Sequence, residues 1–334
     1  MVPAVEEIIE RAHVVALPMA VRFRGVDTRE AVLIEGPRGW GEFAPFEDYS
    51  PREAAAWLRS GIEAAWEGFP DPVRSSVEVN GTIPAVPAEK VAEVAARFPG
   101  CQTFKVKVAE KGQTLADDIA RVAALREAVP NAIVRVDANR GWNVDEAVEA
   151  AKALGPLDYL EQPCHSAEEL AQVRMQLQRA GIFCRVAADE SIRRSEDPYR
   201  VAELRAADVA VVKVAPLGGV RRTLQLASDL NARHMDITVA SALDTAVGLN
   251  AGLAAVAALG SVEDDEGIDV HPNPAGLATQ ALFVEDVCEP RQIVDGHLDV
   301  TPQAPDPARL EDLSAEAGRR EAWLERLRAA YAYL

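Results

Sequence analysis

The chain has 334 residues, of which 49% are hydrophobic, so it is long enough to bury the core of one large barrel or of two ordinary domains. Its 53 acidic and 35 basic residues give a net charge of −18, which makes nucleic acid and anionic membrane surfaces poor partners. The four cysteines form no CxxC pair, and the acidic first residues do not fit a signal peptide, so we expect a cytoplasmic protein with no membrane insertion.

The first 76 residues predict a small α+β unit. The runs "VVALPMAVRF" and "EAVLIEGPRGWGEFAPF" are typical of a hairpin, and a helix is expected from about Pro51 to Trp66. Residues 37–50 are rich in glycine, proline and aromatic side chains. They therefore predict a loop that covers the mouth of the domain that follows.

From residue 77 to about residue 280, short β-branched runs alternate with alanine-rich stretches of helical period. The predicted strands are "SVEVNGTI", "QTFKVKV", "AIVRVDA", "DYLEQP", "FCRVAAD", "DVAVVKV" and "DITVAS". Seven strand and helix pairs, with an eighth strand expected near "EGIDV", indicate a (β/α) barrel. The alternative is a doubly wound sheet, but the glycine-rich turn that normally follows its first strand is missing.

After residue 280, the strand-like "RQIVDGHLDV" and the helical "EAWLERLRAAYAYL" have no remaining place in a barrel. We therefore expect residues 281–334 to return to the unit formed by residues 1–76. The barrel would then comprise residues 77–280, with a cap built from both ends of the chain.

Charged residues end the successive predicted strands. They are Lys105 and Lys107, Asp137, Glu161, Asp189 and Lys213. A barrel enzyme carries its chemistry at the C-terminal ends of its strands, so we expect these side chains at one height around the barrel mouth. A single charge at a strand end is most often only solvated, but independent surface charges have no reason to recur on every strand.

Three converging carboxylates repel one another unless a cation lies between them. Asp137, Glu161 and Asp189 offer only oxygen ligands, so the expected ion is Mg²⁺, with Mn²⁺ as a substitute. With a lysine on each side, the site keeps a net positive charge, which suits a small anionic carboxylate substrate. Lys105 would add a second cation beside Lys107 and favour the neutral amine that can accept a proton.

These residues resemble the enolase superfamily, because K-x-K on the second strand and a lone lysine on the sixth are similar to its muconate lactonising subgroup. The runs "TFKVKV", "VRVDANRGW", "EQPC" and "AADESIR" further resemble the o-succinylbenzoate synthase family. The resemblance covers nearly the whole chain. It implies an α/β fold, a modified (β/α)7β TIM-like barrel with an α+β capping domain.

The resemblance also implies roles for these residues. Mg²⁺ would bind Asp137, Glu161 and Asp189, Lys107 would act as base and then as acid, and Lys213 would face the other side of the substrate. Supporting roles are expected for Lys105, Arg135, Asn139, Glu190 and Ser241, with Arg135 and Asn139 near the metal. The implied reaction is dehydration of 2-succinyl-6-hydroxy-2,4-cyclohexadiene-1-carboxylate to 2-succinylbenzoate.

Several alternatives remain open at this level. The same lysines and metal would serve an N-acylamino acid racemase, a dipeptide epimerase or a muconate cycloisomerase, and a non-catalytic Mg²⁺-binding scaffold or a Schiff-base aldolase using Lys213 are further hypotheses. Ser241 could contact the succinyl tail or cap the following helix. Arg22 and Arg24 could meet the succinyl carboxylate or lie on the surface. The sequence does not predict an oligomeric state.

Overall fold

The structure is a computed structural model that describes residues 2–23, 26–193, 197–263 and 269–334. Arg24 and part of the "EGIDV" run lie outside these residues, and the side chain of Arg22 is also outside the description. Within the described ranges, no helix has both the length and the apolar character needed to cross a membrane.

An antiparallel sheet and a helix form the N-terminal cap, as predicted. Its elements are helix α1 (Val5–Glu10), strands β1 (Ala12–Phe23), β2 (Val26–Gly36) and β3 (Gly39–Phe43), and helix α2 (Pro51–Ile62). Helix α2 begins at a capping box, in which Ser50 and Glu53 each bond the backbone N–H of the other. It continues into a π-helical turn, Glu63–Glu67, so the helix extends about as far as its sequence indicates.

The prediction of a loop over residues 37–50 is wrong for strand β3. A Cβ atom on Gly41 would lie 2.0 Å from the carbonyl oxygen of Gly61 in α2. The glycine therefore permits a close approach of strand and helix and does not form a turn. The loop between β3 and α2 is limited to residues 44–50.

Seven parallel strands form the barrel sheet, each beside the next one in the chain. Strand β4 (Ser76–Glu78) precedes them, and they are β5 (Gly81–Ile83), β6 (Thr103–Lys107), β7 (Ile133–Asp137), β8 (Tyr159–Glu161), β9 (Arg185–Ala188), β10 (Val209–Val212) and β11 (Asp236–Val239). The helices that follow them are α3 (Val91–Ala95), α4 (Leu115–Ala128), α5 (Val144–Leu154), α6 (Ala167–Arg179), α7 (Asp197–Glu203), α8 (Val214–Leu217), α9 (Val220–Asn231) and α10 (Ala246–Ala258). The predicted alternation of strands and helices is confirmed.

A two-residue bridge closes the barrel. Ala275 pairs in parallel with Val79, just before β5, and Gly276 pairs in parallel with Ala240, just after β11. The prediction of an eighth strand near "EGIDV" is therefore wrong. Of that run, the described part forms β13 (Asp269–Val270), which pairs antiparallel with β12 (Val262–Glu263) in a separate small sheet.

The C-terminal segment touches both parts of the molecule. Strand β14 (His297–Asp299) pairs antiparallel with β4, and two helices follow, α11 (Pro307–Asp312) and α12 (Ala317–Tyr331). Helix α12 packs against α2, and its Trp323 meets the ring of Phe43 edge to face at 6.1 Å. We propose that the chain divides into a cap of residues 1–76, a barrel of residues 77–280 and a returning segment of residues 281–334.

Two buried glutamates of the cap bond to the N-termini of barrel helices. Glu63 accepts hydrogen bonds from the backbone N–H groups of Val220 (2.7 Å) and Arg221 (3.1 Å) at the start of α9. Glu42, on β3, accepts from Thr245 at the start of α10, through the backbone N–H (3.0 Å) and the hydroxyl (2.6 Å). The N-termini of these helices follow the C-terminal ends of β10 and β11, so both glutamates hold the cap at the mouth side of the barrel.

Candidate active site

The charged strand-end residues come together in a staggered row. Lys107 lies opposite Asp137, and Asp137 lies opposite Glu161, so these three are at one height. Glu161 aligns with Ala187, which places Asp189 two residues further along its strand. Lys213 is shifted further again, because β9 and β10 align at Ala188 and Ala210. The expected equal height therefore holds for three strands, and the stagger of a closed barrel raises the other two residues.

Lys105 lies between two of the carboxylates. Its Nζ is 2.9 Å from Glu161 Oε1 and 3.3 Å from Asp137 Oδ2. Burial opposes the charge on this amine, but Glu161 and Asp137 outweigh it and raise the pKa of Lys105. The lysine expected as a free cation beside Lys107 is thus engaged by the acidic cluster.

Lys107 contacts a different group. Its Nζ donates to Asn139 Oδ1 at 2.5 Å, and Asn139 Nδ2 donates to Glu190 Oε1 at 3.1 Å. The backbone N–H of Asn139 also bonds Asp137 Oδ1 at 3.0 Å. Asn139 has a φ of +42°, a left-handed conformation that asparagine tolerates better than most residues. Asn139 and Glu190, both predicted as supports, therefore form a connected chain that begins at Lys107.

Lys213 is paired with the remaining carboxylate. It directly precedes α8, and its Nζ donates to Asp189 Oδ1. The guanidinium of Arg193 lies 3.4 Å from Asp189 Oδ2 and 2.9 Å from Glu190 Oε1. Lys107 and Lys213 thus contact different partners, Asn139 and Asp189, at the ends of two non-adjacent strands.

Two of the expected supporting residues lie elsewhere or act differently. Arg135 precedes Asp137 by one pleat, and its guanidinium bonds Asp158 (2.8 Å), Asn80 (3.1 Å) and the carbonyl of Pro274 (2.6 Å). Because Asp158 comes just before β8, these partners lie toward the opposite end of the barrel, and the expectation that Arg135 stands near the metal is wrong.

Ser241 forms a local turn. Its Oγ accepts from the backbone N–H of Asp244 at 3.0 Å, whereas the N-cap of α10 is Thr245. The prediction that Ser241 caps helix α10 is therefore wrong. The serine closes the loop that precedes this helix. The contact with a substrate tail stays a prediction.

Sequence reasoning missed Gln162, which directly follows Glu161. Its side chain is fully buried and bonds the backbone of both Asp189 and Ser191. The run "EQPC" contains this glutamine, but only the pairing of β8 with β9 brings it beside Asp189. A polar residue at a buried strand end was the signal available in the sequence.

The acidic cluster has the oxygen-only donor set of a site for a divalent cation. Burial is the main cause that raises the pKa of Glu161, to about 7, and the carboxylates of Asp137 and Asp189 add to it against Lys105. Glu161 Oε2 is buried and has no hydrogen-bond partner among the described residues. A ligand oxygen without a partner, beside two more carboxylates, fits a hard cation.

The carboxylates of Asp137, Glu161 and Asp189 do not surround a single point in this structure. In the described part of the chain, no three His, Cys, Asp or Glu side chains are clustered closely enough to hold a metal ion. The ammonium groups of Lys105 and Lys213 instead lie against the three carboxylates. A cation at this place would have to displace these lysine contacts.

A cavity of about 470 Å³ lies between the cap and the turn that follows β9. Its lining includes Phe46 and Tyr49 from the loop after β3, Arg29 from β2, and Arg193. The loop that was expected over the barrel mouth therefore borders a space beside the residues that neighbour Asp189.

Known proteins are similar to this chain over nearly its full length. The model described as "Enolase N-terminal domain-like" matches residues 14–65, and "Enolase C-terminal domain-like" matches residues 88–305. An o-succinylbenzoate synthase of Mycolicibacterium smegmatis is 55% identical, over 100% of this chain and 99% of that protein. One of Mycobacterium tuberculosis is 52% identical, over 100% and 98%.

Solved structures share the fold at lower identity. The muconate lactonizing enzyme from Pseudomonas putida has a TM-score of 0.71 and 22% identity, covering 91% of this chain and 98% of its own. The N-succinyl Arg/Lys racemase from Bacillus cereus has a TM-score of 0.71 and 18% identity, covering 91% and 97%. Together with the family matches, these two structures support the fold of a modified TIM barrel with a capping domain.

Proposed function

Because this chain belongs to the o-succinylbenzoate synthase family of the enolase superfamily, we propose that it dehydrates 2-succinyl-6-hydroxy-2,4-cyclohexadiene-1-carboxylate to 2-succinylbenzoate in menaquinone biosynthesis. The protein is a carbon–oxygen lyase. The observation that carries the proposal is the identity of 55% to a synthase over the entire chain. We also propose a cytoplasmic location, which the four free cysteines support.

We assign Asp137, Glu161 and Asp189 as the ligands of Mg²⁺, for which Mn²⁺ can substitute. The oxygen-only donor set supports this assignment, as does Glu161 Oε2, which has no hydrogen-bond partner in the described part of the chain. When bound, the cation supplies positive charge where negative charge develops on the substrate carboxylate. Release of Lys105 and Lys213 from these carboxylates would free both amines toward the substrate.

Lys107 is the proposed proton carrier. As a neutral amine it removes the hydrogen from the ring carbon that bears the carboxylate, and becomes an ammonium group. The ring carbon–oxygen bond then breaks, the ammonium gives its proton to the departing hydroxide, and water leaves as the ring becomes aromatic. Asn139 accepts a hydrogen bond from Lys107 and so orients the amine for both steps.

Lys213 has a different proposed role. Held as a cation on the other side of the substrate, it stabilises the negative charge of the intermediate and transfers no proton to or from the substrate. Its short contact with Asp189 shows that its side chain reaches the acidic cluster from β10. Dehydration with proton removal and return on one face therefore needs only one of the two lysines as an acid and base.

This difference gives a test against a racemase, in which two bases must alternate. We expect the wild-type protein to dehydrate the cyclohexadiene much faster than it racemises N-succinyl amino acids, measured by the ultraviolet absorbance of the product and by optical rotation. Lys107→Ala should reduce kcat by at least about 10²-fold, and should also abolish exchange of the substrate α-hydrogen in D₂O.

Lys213→Arg is the decisive variant, because it keeps the charge but cannot accept a proton at neutral pH. A synthase retains measurable dehydration with this change, whereas a two-base racemase loses racemisation completely. Efficient racemisation by the wild-type protein with no detectable dehydration would contradict the proposed function.

A further inference from the structure

Gln162 makes four hydrogen bonds from a fully buried side chain. Its Oε1 accepts from the backbone N–H groups of Asp189 (3.0 Å) and Ser191 (3.1 Å). Its Nε2 donates to the carbonyl oxygen of Cys164 (2.9 Å) and to Ser191 Oγ (2.8 Å). The amide thus uses both lone pairs and both protons, and a flipped amide would set its NH₂ group against two backbone donors.

These bonds connect the ends of two neighbouring strands. Gln162 follows β8, whereas Asp189 and Ser191 follow β9, and the backbone N–H of Gln162 also bonds the carbonyl oxygen of Ala187 at 2.8 Å. Gln162 has a φ of +37°, in the left-handed region that non-glycine residues rarely adopt because it is strained. Such a conformation persists only where the surrounding bonds hold it.

The direction of the Asp189 carboxylate depends on this turn. Asp189 leaves β9 with φ −117° and ψ −71° and leads into the 3₁₀ turn Glu190–Ile192. Gln162 Oε1 is the acceptor for the backbone N–H of Asp189, and this buried N–H would be left without that acceptor if the amide were removed. The turn would then reorganise, and the carboxylate would move with it.

We infer that Gln162 is a positioning residue that sets Asp189 relative to Glu161, so that carboxylates from two strands meet at one cation. The inference rests on the metal site of the proposed function. Gln162 does not touch the substrate or the ion in this role, because it acts through the backbone of Asp189. Groups that orient metal ligands typically contribute 10–100-fold to metal affinity or activity.

The test compares two buried amides. Gln162→Met keeps the volume of the side chain and removes all four hydrogen bonds. Asn250→Leu is the matched control, because Asn250 is also buried and bonds Gln303 (3.0 and 2.8 Å) and Arg291 (2.6 Å) within a network on α10. Each metal-free protein is titrated with Mn²⁺ in the absence of substrate, with free Mn²⁺ followed by electron paramagnetic resonance, and its thermal midpoint is measured.

We expect Gln162→Met to raise the dissociation constant for Mn²⁺ by about 10–100-fold. Asn250→Leu should lower the thermal midpoint but leave that constant within about 2-fold of wild type, since the described bonds of Asn250 go to Gln303 and Arg291 and not to the three carboxylates. Wild-type affinity in Gln162→Met, or an equal loss of affinity in both variants, would overturn the inference.

A second variant covers the case in which Gln162→Met does not fold. Ser191→Ala removes one acceptor of the amide, at a half-buried position, and should weaken Mn²⁺ binding several-fold. Unchanged affinity in Ser191→Ala would then overturn the inference. If the wild-type protein binds no Mn²⁺, the metal site itself is refuted together with the inference, whereas loss of dehydration alone with tight Mn²⁺ binding refutes only the assigned reaction.

Discussion

Replacing Glu42 by glutamine should make the stability of the protein less sensitive to pH. Burial is the main cause that raises the pKa of Glu42 to about 8, the carboxylate of Asp244 adds to it, and Arg29 opposes it. An ordinary glutamate ionises near pH 4.5. Between these two pH values, the folded protein therefore holds a proton that the unfolded chain has released.

Folding stability consequently falls as the pH rises through this window. The stabilisation from Glu42 is complete below about pH 4.5 and is lost as the pH passes about 8, with a slope of roughly 1 kcal/mol per pH unit. From pH 5 to pH 8, the free energy of unfolding of the wild type should therefore decrease by about 3 kcal/mol relative to that of Glu42→Gln. The glutamine of the variant does not ionise at position 42, and its side-chain oxygen can still accept a hydrogen bond from Thr245.

The assay is urea unfolding of both proteins at pH 5, 6, 7 and 8. A matched control is Glu30→Gln, because the hydrogen bond from Arg319 is the main cause that lowers the pKa of Glu30. The contribution of Glu30 is complete above its ordinary pKa of 4.5 and is lost only as the pH falls below that value, so the difference in stability between wild type and Glu30→Gln should stay constant from pH 5 to pH 8. Parallel stability curves for wild type and Glu42→Gln would refute the reasoning.

Two further predictions concern the metal and the junction between cap and barrel. Dialysis against EDTA should abolish turnover and Mg²⁺ or Mn²⁺ should restore it, with Asp189→Asn behaving like partial metal removal; full activity in excess EDTA would remove the metal from the mechanism. Glu63→Ala leaves the backbone N–H groups of Val220 and Arg221 without their acceptor, so the free energy of unfolding should fall by about 2 kcal/mol. An unchanged urea midpoint would show that water replaces this carboxylate without loss.

The barrel strands and helices were predictable because their sequences carry a local pattern of apolar residues. Most predicted barrel strands are short apolar runs that are buried in the structure, and most alanine-rich stretches form the helices that follow them. The closing bridge at Ala275 and Gly276 was not predictable, because two residues beside prolines carry no periodic signal. Residues 39–43 fell within both the predicted hairpin and the predicted loop, because glycine is common in turns, whereas Gly41 permits the close approach of β3 to Gly61 in α2.

The candidate site was predictable in its members more than in its contacts. Regular spacing identified the lysines and carboxylates, because they lie at the ends of five successive strands, β6 to β10. Spacing alone does not give the stagger between strands, which raises Asp189 and Lys213 above the other residues. The position near the metal expected for Arg135 came from the family resemblance, and its guanidinium instead bonds Asp158, just before β8. The roles of Gln162 and Glu42 depend on bonds across 27 and 203 positions of sequence, which no local pattern records.

The packing of α12 on α2 has a consequence for synthesis on the ribosome. Trp323 and Leu327 of α12 pack with Phe43 and Trp57 in one hydrophobic core. The hydroxyl of Tyr331 donates a hydrogen bond to the carbonyl oxygen of Pro3, 328 positions away in the sequence. At about 5–20 residues per second, roughly 10–50 s pass between translation of α2 and of α12. Throughout that interval the nascent cap exposes aromatic surface while the barrel is being made. The cap is therefore the part of the growing chain that chaperones should bind, even though its strands are translated first.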